Sequence, residues 1–118
     1  KRHGYRYVSE SKKRIPILRS AYDDALKEVD ALVMPTTPMK ATRLPDSDAS
    51  PQTITSLAFE PTTNTSPFNS THHPALSIPC GTVEGLPVGM MLIGRHYDEA
   101  TLYQIGDLFE RRFDWKDQ

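Results

Sequence analysis

Cysteine is nearly absent from this sequence: Cys80 is the single thiol among 118 residues. No disulfide can close within the chain, and a reducing compartment, the cytoplasm, is expected. The sequons Asn64-Thr65-Ser66 and Asn69-Ser70-Thr71 are then expected to stay unmodified, because such acceptor sites matter in secreted chains. No signal peptide is visible. The most apolar stretch, Leu86 to Gly94, falls far short of the roughly 18 to 20 residues of a membrane span. Neither charge is in excess: 14 basic and 15 acidic residues, interspersed, build no field that would gather nucleic acid or an anionic bilayer, and both partners are disfavoured. Glycine is sparse, at six residues, and forms no phosphate-binding loop.

Proline, by contrast, is abundant, at ten residues against an average near 5% of a chain. Four of them fall between Thr36 and Pro61, a segment without hydrophobic period that is expected to be one long irregular loop (about 36–61), with a short helix over Thr53 to Phe59. A chain of this length supports one core at most. Its first residue is Lys1 and its first methionine Met34, so it is expected to be part of a longer protein.

The stretch from Asn64 to Gly94 organises the rest. Two apolar runs, Pro74 to Pro79 and Val88 to Ile93, flank a connection containing Gly81, Gly85 and Pro87, which reads as strand, turn, strand. Adjacent Met90 and Met91 should face opposite sides of the sheet. Asn64 to Thr71 should hold a helical turn or two, ending at His72. Further upstream, Ile15, Leu18, Tyr22, Ala25, Leu26 and Val29 recur at three and four residues, the pattern of a helix face. Pro16 is tolerated best in a first turn, so the regular helix is expected to begin there, with Lys1 to Val8 a lead-in. Ala31 to Met34, closed by Pro35, reads as a buried strand. Asp98 is a suitable N-cap for a last helix whose Leu102, Ile105, Gly106, Phe109 and Phe113 share one face, with Asp114 to Gln118 a frayed tail.

Few residues offer chemistry by spacing alone. Ser9-Glu10-Ser11-Lys12 spells the S-x-x-K of some serine acyl-transfer enzymes, but serines ahead of a helix read better as caps. His72 and His73, with His3 and His96, suggest a metal only weakly, because neighbouring side chains rarely converge on one ion and no Cys or carboxylate sits at ligand spacing. Cys80, between proline and glycine, reads as a small buried hydrophobe rather than a nucleophile. On this reading there is no metal site and no cofactor.

The stretches DALVMPTTP (30–38), NTSPFNSTHHPALSIPCG (64–81) and GLPVGMMLIGRHYDEATL (85–102) resemble, in order, the C-terminal part of the amidase signature family. Within it the chain looks most like bacterial amidases of simple aliphatic and aromatic amides, often associated with nitrile hydratases. The resemblance implies an α/β fold in which residues 1–118 form the C-terminal segment of one amidase domain. That segment is part of a mixed β-sheet sandwiched between helices, incomplete on its own. It also implies serine acyl-enzyme chemistry run by a Ser-cisSer-Lys triad lying upstream, so no catalytic residue is expected here. Thr65, Phe68 and Asn69 are the candidate substrate-binding residues. The implied partners are a small amide and the remainder of the amidase chain, with a homodimer a further expectation.

Two positions depart from the family. Glycine usually stands where His72 does, which implies a positive φ for His72. The amidotransferase members carry an aspartate near Thr62, and threonine cannot take its part. An amidotransferase acting on glutamine is the alternative enzyme reading, and a noncatalytic module seeking a partner through an exposed sheet edge the alternative from another class.

Overall fold

The computed structural model describes residues 5–115. Helix α1 (Arg6–Glu28) leads into strand β1 (Leu32–Pro35), and helix α2 (Pro51–Phe59) into a single 3₁₀ turn and the short helix α3 (Ser66–Thr71). Strands β2 (Ala75–Val83) and β3 (Leu86–Ile93) follow, then helix α4 (Glu99–Arg112). The strands form one antiparallel sheet in the order β1-β3-β2. The two-residue turn Glu84-Gly85 joins β2 to β3 with both residues at positive φ, 52° and 76°. Primed turns need that geometry because its twist matches the strands they connect.

Period-two alternation divides the sheet residues between two faces. On one face Phe68, Met91 and Ile93 are buried, with Tyr22, Leu32 and Met34 packed against them; α1 and α3 cover this side. On the other, Ile78, Leu92 and Leu102 are buried under α4, joined by Leu76, Met90, Ile105 and Phe109. Met90 and Met91 thus divide as expected. Gly106 allows the close approach of α4, since a Cβ there would stand 3.1 Å from Leu76 Cδ2. The result is a partial α/β sandwich.

The helical layer is longer than the sheet it covers. Of the stripe read in this helix only Leu26 is buried, with Ile15 and Tyr22 half-buried; Leu18, Ala25 and Val29 stay exposed, as does Ile17 beside it. The molecule is a plate of 52 × 41 × 16 Å with a radius of gyration of 17.4 Å, against about 13.5 Å for a compact domain of this length.

Three expectations are corrected at the start of the chain. The helix begins at Arg6, so Arg6 to Val8 belong to it rather than to a lead-in. Pro16 sits in its interior, where its missing N–H and its ring are accommodated within a 23-residue helix. Ser9 and Ser11 therefore lie inside α1 and cap nothing; the N-cap is Tyr5. Cys80 is half-buried rather than buried, beside the irregularity between Pro79 and Gly81, with Sγ 3.6 Å from the Val88 carbonyl oxygen. Lys1 to Gly4, including His3, and residues 116–118 of the expected tail lie outside the described residues. No helix among those described is long and apolar enough to cross a membrane.

Candidate functional site

A pocket of about 320 Å³ opens where α3 meets the ends of β1 and β2. Thr65, Phe68 and Asn69 all line it, together with Thr36, Ser77 and Met91. Their convergence follows from local structure. Pro67 near the start of α3 needs no N–H there, and the Phe68 and Asn69 amides both donate to the Thr65 carbonyl, at 3.1 and 3.4 Å. One helical turn thereby sets Thr65, Phe68 and Asn69 on one face. Asn64 ties this turn to the sheet, its Nδ2 donating to the Pro35 carbonyl at 2.9 Å.

The three residues differ in what they present. Phe68 is buried in the core, its ring 5.1 Å from Tyr22, so it forms a fixed apolar wall. Asn69 is exposed, at the rim. The Thr65 hydroxyl is half-buried and turned back to the Thr62 carbonyl at 3.2 Å. The floor is a feature that spacing in the sequence did not single out: the Thr36 and Ser77 hydroxyls meet at 2.6 Å across 41 residues. Gly89 makes the pair possible, for a Cβ there would stand 2.8 Å from Thr36 Oγ1 and 3.1 Å from Ser77 Oγ. The only available signal was alternation, which puts Ser77 on the same face as Met91, its partner in the ladder.

Among the described residues, no Asp, Glu, Lys or Arg lines this pocket, and His73 is its one titratable group. Burial lowers the His73 pKa, against the opposing pull of a hydrogen bond to Asp23, so the imidazole is neutral at physiological pH. The chain leaves α3 through His72, at φ 63° and ψ 21°, whose N–H bonds the Phe68 carbonyl at 2.8 Å. The positive φ expected of His72 is thus present, in a helix cap that glycine usually fills.

The model of the Amidase family matches residues 1–103. The chain is 48% identical over 97 residues to a Rhodococcus erythropolis protein described as an uncharacterized protein in the nthA 5' region, covering 82% of this chain and 49% of that one. It is 43% identical over 103 residues to the enantioselective amidase of Rhodococcus rhodochrous, covering 86% of this chain and 20% of the relative. Among solved structures, a glutamyl-tRNA(Gln) amidotransferase subunit from Thermotoga maritima superposes with a TM-score of 0.70 at 25% identity, over 89% of this chain and 23% of that one. The chain therefore spans about half the length of the first relative and about a fifth of the others.

Proposed function

Because the chain belongs to the amidase family, we propose that the protein carrying it hydrolyses small neutral carboxamides to a carboxylic acid and ammonia in the cytoplasm. The observation that carries this reading is the pocket of Thr65, Phe68 and Asn69, in which hydroxyls, an amide and an apolar wall meet without a fixed charge. A charged substrate group enclosed there would lose its hydration without a counter-ion, at a cost of several kcal/mol, whereas an alkyl or aryl group against Phe68 gains apolar burial.

The remainder of the amidase chain supplies the reacting groups. A serine there attacks the carbonyl carbon and passes its proton through the second serine and lysine to the departing ammonia. Water then hydrolyses the ester to regenerate the serine. Backbone N–H groups hold the oxyanion in both halves. Residues 1–118, the C-terminal segment of that domain, whose long connection at about 36–61 is irregular only up to α2, shape the acyl side of the site, with Phe68 and Thr65 in contact with the acyl group and Asn69 at the rim. The partners on this reading are the amide and the rest of the chain, and a second copy in a homodimer.

Similarity to a glutamyl-tRNA(Gln) amidotransferase keeps glutamine as the second candidate substrate. Thr62 argues against it: its hydroxyl is engaged with the Phe59 carbonyl at 2.7 Å and carries no carboxylate to receive an amino group. Steady-state kinetics on the full-length protein separate the two. Propionamide and benzamide should exceed glutamine in kcat/KM by at least about tenfold, an advantage of about 1.4 kcal/mol. Phe68→Ala and Thr65→Val should lower kcat/KM for the simple amides. A preference for glutamine, or no change in either variant, overturns the assignment.

A further inference from the structure

Behind the His73 wall of the pocket lies a cluster that the amide chemistry does not use. Asp23 comes from α1, His73 from the lead-in to β2 and His96 from the turn after β3. His73 Nε2 lies 3.2 Å from Asp23 Oδ1, and His96 Nε2 lies 3.8 Å from the same oxygen. The imidazoles lie with centroids 4.2 Å apart and planes tilted by 32°, and one donor atom from each of the three residues falls within 4.8 Å of the others. His96 Nε2 is itself buried, without a hydrogen-bond partner among the described residues. A polar nitrogen taken from water in this way calls for a ligand.

We infer that Asp23, His73 and His96 bind one divalent transition ion of the Zn²⁺ class, which staples α1 to the sheet. Two imidazole nitrogens and a carboxylate oxygen form a donor set that borderline ions accept and that the hard ions Mg²⁺ and Ca²⁺ do not favour. Tetrahedral coordination at about 2.0–2.2 Å places ligand atoms about 3.3–3.5 Å from one another. The His73–Asp23 pair, at 3.2 Å, is close to that spacing. The remaining closure falls to His96 and Asp23, whose side chains are 28% and 44% exposed.

The surroundings hold the ligands for this task. His73 Nδ1 lies 3.0 Å from the Thr71 hydroxyl; when an ion takes the place of the Nε2 hydrogen bond to Asp23, the ring proton moves to Nδ1 and is received by Thr71, the usual arrangement of a metal-bound histidine. Arg95, immediately before His96, donates to the carbonyls of Leu26 and Val29, both at 2.9 Å, one of them within α1 and one just past its end, and so holds the turn against α1. Arg19 is a nearby cation, fixed on the Thr71 carbonyl at 3.0 Å. Its positive charge opposes a bound cation.

The test uses the full-length protein, stripped with a chelator and titrated with Zn²⁺ alone by calorimetry. One ion should bind per chain with Kd at or below about 10 µM, and the unfolding midpoint should rise as Zn²⁺ is added. His96→Ala and Asp23→Asn should each weaken binding at least about tenfold, and His3→Ala should leave it unchanged. Co²⁺ on the wild-type protein supplies a reading independent of how the variants fold: an intense visible band of a four-coordinate site is expected. No saturable Zn²⁺ binding up to about 100 µM, wild-type affinity in both variants, or a weak six-coordinate Co²⁺ spectrum each overturns the inference.

Discussion

The Arg95 guanidinium stands 2.9 Å from the Leu26 carbonyl oxygen, joining residues 69 positions apart. It closes the C-terminal end of α1, where the last carbonyls of a helix have no partner of their own. The same side chain reaches Val29, Asp30 and Asp98. Replacing Arg95 with alanine should cost about 1–3 kcal/mol by leaving carbonyls of the α1 end unpaired. Arg95→Lys should recover only part of it, because an ammonium cannot reproduce the planar fork. Urea unfolding of the full-length protein checks both values, and a loss below about 0.5 kcal/mol for the alanine variant would count against the pairing.

His72 occupies a left-handed position that an L-residue adopts at some cost. His72→Gly should be neutral or stabilising, by up to about 1 kcal/mol, since glycine meets no Cβ penalty there. Thermal unfolding measures it. A destabilisation beyond about 1 kcal/mol would assign the imidazole a contact of its own.

At Gly89 the direction reverses. A methyl group would press on Thr36 Oγ1 and Ser77 Oγ, so Gly89→Ala should split the hydroxyl pair on the pocket floor. Overpacking of this kind costs about 1–3 kcal/mol. Kinetics on the full-length protein should also record a lower kcat/KM for simple amides; stability and activity both at wild-type level would place the floor outside the acyl pocket.

The neutral His73 makes stability fall on acidification. Burial holds its folded-state pKa below the ordinary 6.5, so the unfolded chain takes up the proton more readily. The contribution is fully present above that ordinary value and is lost as pH drops through it toward the lowered folded-state value. With a chelator present throughout, the urea midpoint should decrease between about pH 7.5 and pH 5.5, and the slope should flatten in His73→Gln. An equal slope in the variant would transfer the effect to another group.

What could be read from the sequence was what depends on neighbours along the chain. Met90 and Met91 face opposite ways because a strand alternates. The buried strand expected over Ala31 to Met34 is instead the edge strand Leu32–Pro35, with Val33 61% exposed and Pro35 paired with Met90, a position proline tolerates at an edge. His72 was legible through the glycine it replaces in the resembling family. The start of α1 was not, because Arg6, Tyr7 and Val8 carry no period and Pro16 is a poor guide when the surrounding helix is long enough to absorb it. Thr36 with Ser77, and Asp23 with His73 and His96, were also beyond reach. Each grouping exists only after β1, β2 and β3 have found their register, and no spacing in the linear chain encodes it.

The strand order β1-β3-β2 sets a timetable for the nascent chain. β2 and β3 are joined by a two-residue turn and can pair as soon as both have been made, in microseconds. β1 is synthesised first but must wait for β3, about fifty residues later, with Leu32 and Met34 uncovered meanwhile. Pro35, at the end of this edge strand, offers no N–H to a passing chain.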